Sequence, residues 1–196
     1  MSEYDFTADY FSNNILSWEK IYQYLSTTFG SNLNCLELGT YEGRSAIYLL
    51  DNFVGDLGKL TVIDNFWDKE YEQRYFYNIK NNTKNKQVTT LKGTTMARLY
   101  LLYLSSGETF DFIYIDAGKT ASTNMYNLLM SERLLKVGGI IIVDDYNWHL
   151  NKNLDTKLSP HLGINTFMDL TLLCEWYEAP KYQAIIVKKN PNSTII

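Results

Sequence analysis

Residues 34 to 47 read NCLELGTYEGRSAI. The run from Asn34 to Leu38 is short and mostly apolar, Gly39 follows it at once, and a helical pattern begins after Gly43. This order of strand, glycine turn and helix is typical of the first unit of an α/β sheet, in which the turn presents free backbone N–H groups to a ligand. A tight turn without a ligand fits the two glycines equally well. The Gly-x-x-x-Gly spacing differs from the Gly-x-Gly-x-x-Gly of dinucleotide-binding turns, which argues against a NAD or FAD enzyme.

Further strand patterns follow at regular intervals, with helical patterns between them. The runs 112–115 and 140–143 are apolar throughout, as central strands covered on both faces should be. This alternation predicts an α/β fold with a doubly wound, mostly parallel sheet and helices on both faces. After Pro160 a helix and two closely spaced β-rich runs indicate an antiparallel hairpin at one sheet edge. The predicted strands are 34–38, 60–64, 87–91, 110–116, 139–144, 174–177 and 182–187, and the predicted helices are 15–29, 43–52, 67–79, 95–104, 122–135 and 162–172.

The composition predicts one globular domain over residues 1–196, because 45% of the residues are hydrophobic and no repeat or linker is visible. The 18 basic and 22 acidic residues give a net charge of -4, which argues against nucleic acid or an anionic membrane surface as a partner. Cys35 and Cys174 lie far apart in apolar surroundings, which favours two buried thiols over a disulfide framework. The polar start of the sequence, and the lack of an apolar stretch of about 20 residues, predict a soluble, cytoplasmic protein.

Acidic residues stand where the predicted strands end. Asp64 ends the second strand, where a carboxylate either binds the hydroxyls of a ribose or caps the next helix. Asp116 ends the fourth strand, and Asp144 and Asp145 end the fifth. Because neighbouring strands lie about 4.8 Å apart, these carboxylates would repel one another unless a positive group lies between them. A divalent ion such as Mg²⁺ is one such group and Lys119 is another, whereas solvated carboxylates are the alternative.

The turn after the first strand resembles the first motif of class I S-adenosylmethionine-dependent methyltransferases. Residues 37–45, ELGTYEGRS, have the Glu-x-Gly-x-x-x-Gly form that catechol-type O-methyltransferases also show. The similarity covers nearly the whole chain and is greatest to the group whose fifth strand ends Asp-Asp-Tyr, here 144–146. The resemblance implies a Rossmann-like sheet of seven strands, mostly parallel, with the last strand antiparallel. The other matching stretches are Trp18 with the preceding Phe11-Ser12-x-Asn14, then 62–64, 93–95, 110–116, 134–139 and 182–188.

The same resemblance implies S-adenosylmethionine as cofactor and assigns roles to the residues at the strand ends. Glu37 and Gly39 would hold its methionine part, and Asp64 would hold its ribose. The residues around the adenine would be Asn65, Thr94 and Thr95. The complete predicted cofactor-binding set is Glu37, Gly39, Thr40, Tyr41, Gly43, Ser45, Asp64, Asn65, Thr94, Thr95 and Asp116.

The resemblance also implies a metal site, because Asp116, Asp144 and Asp145 match the metal-binding positions of metal-dependent O-methyltransferases, whose third ligand is often Asn. In the catechol-type enzymes a lysine three residues after the first metal aspartate acts as base, and Lys119 has that spacing. Asp116 and Lys119 are therefore the predicted catalytic residues. The most similar group usually has Ile-Asp-Gly-Ser-His at this point, whereas residues 115–119 read IDAGK. This exchange argues against a mechanism that needs an imidazole here, and it leaves Lys119 as either a base or a solvent-exposed side chain.

We therefore expect methyl transfer from S-adenosylmethionine to a small hydroxyl-bearing molecule, assisted by Mg²⁺ or another divalent cation. Two alternatives remain open at this point. One is a metal-independent methyltransferase whose acids bind a cationic acceptor, and the other is a cofactor-binding protein without catalytic activity. The N-terminal segment, residues 1–30, is expected to pack on or near the active site. Together with the loops after Asp64 and Trp148 it should set the acceptor, which the sequence does not identify, nor does it identify an oligomeric state.

Overall fold

A computed structural model describes residues 4–106, 109–148, 155 and 159–190 of the chain. These residues include six α-helices and seven strands, together with short 3₁₀ turns at Ser12–Asn14 and Asn85–Gln87. The helices are α1 (Ile15–Phe29), α2 (Arg44–Asn52), α3 (Lys69–Asn81), α4 (Thr95–Ser106), α5 (Ala121–Leu134) and α6 (Pro160–Leu170). The strands are β1 (Asn34–Leu38), β2 (Lys59–Asp64), β3 (Val88–Lys92), β4 (Phe110–Ile115), β5 (Leu135–Val143), β6 (Cys174–Trp176) and β7 (Ala184–Lys188).

The strands form one sheet in the order β3-β2-β1-β4-β5-β7-β6. Strands β1 to β5 are parallel, and β7 is antiparallel to both β5 and β6. The predicted mostly parallel sheet with an antiparallel last strand is therefore confirmed, as is the hairpin at its edge. Strand order reverses between β1 and β4, and this switch point is where open α/β sheets bind ligands.

Helices cover both faces of the sheet, because alternate side chains of each central strand point to opposite sides. One face packs on α1, α2 and α3, and the other on α4, α5 and α6. Trp18 of α1 is fully buried on the first face, edge-on to the rings of Phe112 and Tyr114 in β4. Within the described residues, no helix combines the length and the apolar character needed to cross a bilayer.

Most element boundaries differ from the prediction by one or two residues, and two of the differences have local reasons. Strand β5 begins at Leu135, not at Gly139, because Leu135 pairs with Phe110 of β4 before the register of the two strands shifts and Ile140 pairs with Phe112. In the stretch of β5 between these two pairs, Gly138 has a φ of +83°. Helix α6 begins at Pro160, where the Ser159 hydroxyl accepts a hydrogen bond from the backbone N–H of His161 and proline occupies the first helical turn.

Candidate active site

A cavity of about 1200 Å³ opens at the carboxyl ends of β1, β2, β4 and β5. It lies at the switch point of the sheet, where the strand order predicts a ligand site. Of the predicted cofactor residues, those that line the cavity are Gly39, Thr40, Tyr41, Asp64, Asn65, Thr94, Thr95 and Asp116. The other three, Glu37, Gly43 and Ser45, lie outside this lining. The predicted metal ligands Asp116, Asp144 and Asp145, and the predicted base Lys119, all line it.

The turn after β1 passes close to the end of β4. The N–H of Gly39 donates to the carbonyl oxygen of Ile63 at 2.9 Å, and the N–H of Asp116 donates to that of Leu38 at 2.8 Å. Gly39 has a φ of +80°, and a Cβ there would lie 2.5 Å from the carbonyl oxygen of Asp116. Only glycine lets the two strand ends approach this closely.

Glu37 lies beneath the cavity floor and is fully buried. Its carboxyl group accepts hydrogen bonds from the hydroxyls of Ser45 and Thr40, the latter at 3.1 Å. Burial raises the pKa of Glu37 to about 8, and the two hydroxyls only partly oppose that rise. Glu37 and Ser45 therefore stabilise the turn after β1 from its buried side and do not line the cavity.

Asp64 fixes the opposite side of the same turn. Its carboxylate accepts the backbone N–H of Thr40 at 2.8 Å and that of Phe66 at 2.6 Å. The helix-cap alternative for Asp64 is wrong, because Asp68 caps α3 by accepting the backbone N–H of Glu70 at 2.7 Å. The Asp64 carboxylate is therefore held at the cavity wall by two backbone N–H groups.

Lys119 lies between two of the predicted metal ligands. Its Nζ is 2.7 Å from Oδ1 of Asp116 and donates as well to Oδ2 of Asp145. The other oxygen of Asp145 accepts the hydroxyl of Tyr182, which also lines the cavity. Burial lowers the pKa of Lys119, but the two carboxylates together raise it above the usual range of a lysine. Lys119 is therefore a cation in this arrangement. Burial raises the pKa of Asp116 to about 7, although the neighbouring Lys119 ammonium lowers it.

Asp144 is hydrogen-bonded in a buried polar network that does not include Lys119. One of its oxygens accepts the Tyr114 hydroxyl and, at 3.0 Å, the amide of Gln183. Gln183 in turn accepts the indole N–H of Trp18 at 3.1 Å. The other oxygen of Asp144 accepts the backbone N–H of Asp145 at 2.7 Å. The carboxylate therefore has partners on both oxygens.

These contacts do not fit a divalent ion held by Asp116, Asp144 and Asp145. An ion such as Mg²⁺ needs its oxygen ligands at about 2.0–2.1 Å around one point, and the Lys119 ammonium occupies the space between Asp116 and Asp145. Asp144 faces its own network instead. Among the described residues, no three His, Cys, Asp or Glu side chains are grouped in a way that could hold a metal ion.

The N-terminal segment reaches the cavity before α1 begins. Glu42, 1% exposed, accepts the backbone N–H of Thr7 at 2.7 Å and its hydroxyl at 2.5 Å. The buried Asn78 binds the main chain of Asp5 in both directions, at 2.7 and 3.0 Å. Tyr10 then lies in the cavity wall, whereas α1 itself packs into the core. Within residues 1–30, it is thus the stretch before α1 that lies at the site.

An aromatic row lies along one cavity wall, and of its members Tyr41 alone was a predicted site residue. The ring of Tyr41 lies 5.8 Å from that of Tyr10 and 4.3 Å from that of Tyr71, and Trp67 is 5.2 Å from Tyr71. Tyr10 and Trp67 are about three-quarters exposed. Aromatic residues are frequent throughout this sequence, so no local signal distinguished Tyr10, Trp67, Tyr71 or Tyr182 from packing residues. The loop after Trp148 lies outside the described residues, apart from Asp155.

The comparison with protein families matches this region of the chain. A family described as "Methyltransferase domain" matches residues 36–146, which is more than half of the sequence and spans β1 to the end of β5. The chain belongs to this methyltransferase domain family. The match includes the glycine turn, Asp64 and the Lys119 cluster, which is Lys119 with its partners Asp116 and Asp145, so the cavity is formed mainly by the family's own segment. A comparison with curated proteins finds no match.

Solved methyltransferase structures share the fold. An O-methyltransferase from Bacillus cereus, in complex with S-adenosylhomocysteine, has a TM-score of 0.66 and 23% identity over 88% of this chain and 81% of that one. The O-methyltransferase TomG from Streptomyces achromogenes, involved in tomaymycin synthesis and in complex with S-adenosylmethionine, has a TM-score of 0.66 and 15% identity over 88% of this chain and 80% of that one. At these identities the likeness shows the fold alone.

Proposed function

We propose that this methyltransferase transfers a methyl group from S-adenosylmethionine to a hydroxyl group of a small acceptor. The observation that carries the proposal is the single cavity of about 1200 Å³ that runs from Asp64 to Lys119 and Tyr182. Ordinary ligand pockets have about 300–1,000 Å³, so this one has space for a cofactor and a second molecule. The structural neighbours with bound S-adenosylmethionine or S-adenosylhomocysteine support the identity of the cofactor.

The residues around Asp64 fit S-adenosylmethionine. The carboxylate of Asp64, the amide of Asn65 and the hydroxyls of Thr94 and Thr95 line the same part of the cavity, and such groups suit ribose hydroxyls and an adenine ring. Gly39 carries no side chain, which keeps the main chain open to the methionine part of the cofactor. The absence of a Gly-x-Gly-x-x-Gly turn argues against a nicotinamide or flavin dinucleotide in this position.

The Lys119 cluster is the proposed acceptor side. When bound, the cofactor supplies a methyl group that its sulfonium makes electrophilic. The chain must then hold the acceptor oxygen in line with that methyl group and exclude water, an orientation effect that can reach about 7–11 kcal/mol. The acceptor hydroxyl also loses its proton. Because Lys119 already carries one, we assign the proton to a carboxylate of the cluster, Asp116 or Asp145, in place of the predicted lysine base.

A divalent cation forms no part of this proposal, because the predicted ligands have other partners. The predictions of a small-molecule acceptor, no nucleic-acid partner and a cytoplasmic location stay predictions.

A calorimetric titration with S-adenosylhomocysteine tests the cofactor assignment, with NADH as the control ligand. We expect micromolar binding of the first and none of the second. Asp64→Ala should weaken binding at least about tenfold, since it removes a charged acceptor, whereas Asp56→Ala, an exposed acid outside the cavity lining, should not. No binding by the folded wild type would contradict the proposal. Binding without turnover, across neutral, cationic and acidic hydroxyl-bearing acceptors, would instead indicate a cofactor-binding protein without activity.

A further inference from the structure

We propose that the ammonium group of Lys119 is the resident cation of this site, so that the native protein holds no divalent ion between Asp116 and Asp145. The inference that Lys119 also donates a hydrogen bond to the acceptor oxygen rests on the proposed function. The inference that Lys119 excludes a metal does not.

The first argument is the position of Lys119. Its Nζ contacts Asp116 at the end of β4, at 2.7 Å, and Asp145 just beyond the end of β5. These are neighbouring strands, so the ammonium neutralises the repulsion that two adjacent carboxylates would otherwise feel. The carboxylate of Asp145 is held from its other side by the Tyr182 hydroxyl. One positive group thus satisfies both acids without a metal.

The second argument is the engagement of Asp144, which the resemblance assigns as a ligand. To reach an ion at Asp116 and Asp145, its carboxylate would have to leave Tyr114 and Gln183. Both partners are buried, and each buried donor left without an acceptor costs about 1–3 kcal/mol. The network extends to the fully buried Trp18, so the rearrangement would reach the core.

The third argument is the chemistry that lysine brings. An ammonium group has three N–H donors and no acceptor, and two of the donors bind Asp116 and Asp145. The third is available to an oxygen atom in the cavity, which Lys119 lines. Among the cavity-lining residues that the structure describes, Lys119 is the one lysine or arginine. It therefore orients an acceptor oxygen by hydrogen bonding, without the Lewis acidity of a metal.

A direct test uses Mn²⁺ as the probe, followed by its paramagnetic resonance signal, on the full chain with and without S-adenosylhomocysteine. Lys119→Met removes the charge and keeps most of the side-chain length, whereas Lys119→Arg keeps the charge and serves as the matched control. We expect wild type and Lys119→Arg to show no stoichiometric Mn²⁺ site. Lys119→Met should bind Mn²⁺ at least about tenfold more tightly than wild type, because two carboxylates then face each other without a cation. Adding Asp145→Asn to Lys119→Met should abolish the gain.

Two outcomes would overturn the proposal. The first is one stoichiometric Mn²⁺ site in the wild type that is lost in Asp145→Asn. The second is a folded Lys119→Met variant that gains no Mn²⁺ affinity. If Lys119→Met fails to fold, as judged by circular dichroism, the wild-type titration decides alone. The readout is metal binding and needs no turnover. Failure of wild type to bind S-adenosylhomocysteine would remove the proposed function and leave the conclusion on Lys119 standing.

Discussion

At Gly39 a methyl group would lie 2.5 Å from the carbonyl oxygen of Asp116, and the residue has a φ of +80°. Gly39→Ala therefore meets both an unfavourable backbone conformation and a clash with another strand end. Gly30 has a similar φ of +84° but open space around it, so Gly30→Ala is a matched control. We expect Gly39→Ala to lower the free energy of unfolding by about 1–3 kcal/mol more than Gly30→Ala, and to weaken S-adenosylhomocysteine binding. Urea titration and calorimetry measure both; equal losses in the two variants would contradict the close approach.

Glu37 makes stability depend on pH. Its pKa is raised from 4.5 to about 8, so the folded protein keeps a proton that the unfolded chain has lost. The free energy of unfolding should therefore fall as pH rises from about 4.5 to 8, by up to about 1.4 kcal/mol per pH unit from this group. Glu37→Gln stays neutral and should flatten the dependence. The exposed Glu19→Gln should keep the wild-type slope in urea unfolding at about pH 6 and about pH 8. A Glu37→Gln slope equal to that of wild type would contradict the assignment.

The sequence predicted individual site residues where a general rule applies, and missed them elsewhere. Acids at the ends of parallel strands meet at one sheet edge, which is why Asp64, Asp116 and Asp145 were found. Tyr182 contacts Asp145 from 37 positions away, and the resemblance of residues 182–188 assigned it no role in the site. The orientation of Asp144 toward Tyr114 also depends on packing that a linear pattern does not contain.

At the scale of elements, the buried Glu42 is one of the side chains that hold the segment before α1. Glu42→Ala leaves the backbone N–H and hydroxyl of Thr7 without their acceptor and should lower the free energy of unfolding by about 2 kcal/mol or more. Asp5→Ala is the control, because it removes only a partly exposed ion pair with Arg74 at 2.6 Å and should cost less than about 1 kcal/mol. Hydrogen exchange at the Thr7 amide should rise in Glu42→Ala alone. Unchanged exchange there would show that the segment is held by other contacts.

Element boundaries were predictable where apolar runs end at turn residues. Strand β1 and helix α1 have their predicted limits, because a polar or glycine residue marks each end. Strand β5 was predicted to begin at Gly139, although it begins at Leu135 and its pairing with β4 shifts register before it resumes at Ile140. Pairing across a bulge is a tertiary property, and only the partner strand β4 reveals it.

On the scale of the whole molecule, the cavity joins the two halves of the sheet. The turns after β1 and β2 supply the proposed cofactor side, and the ends of β4 and β5 supply the acceptor side. The alternation of elements predicted the α/β class and the parallel sheet, the short spacing of the last two β-rich runs predicted the antiparallel hairpin, and the family resemblance implied the same arrangement. Tyr10 and Trp67 line the cavity from segments without regular secondary structure. Hydrophobic periodicity in the sequence does not predict where such segments lie.

Occupation of this cavity should stabilise the entire fold, because a ligand that binds only the folded state adds its binding free energy to that of folding. S-adenosylhomocysteine at about 100 times its dissociation constant adds about 2.7 kcal/mol. For a chain of 196 residues that corresponds to a rise in Tm of about 5–11 °C in a thermal melt. NADH at the same concentration should leave Tm unchanged, because the turn from Gly39 to Gly43 lacks the spacing of a dinucleotide-binding turn. An equal rise with NADH would show an unspecific effect, and no rise with S-adenosylhomocysteine would mean that the cavity does not bind this cofactor.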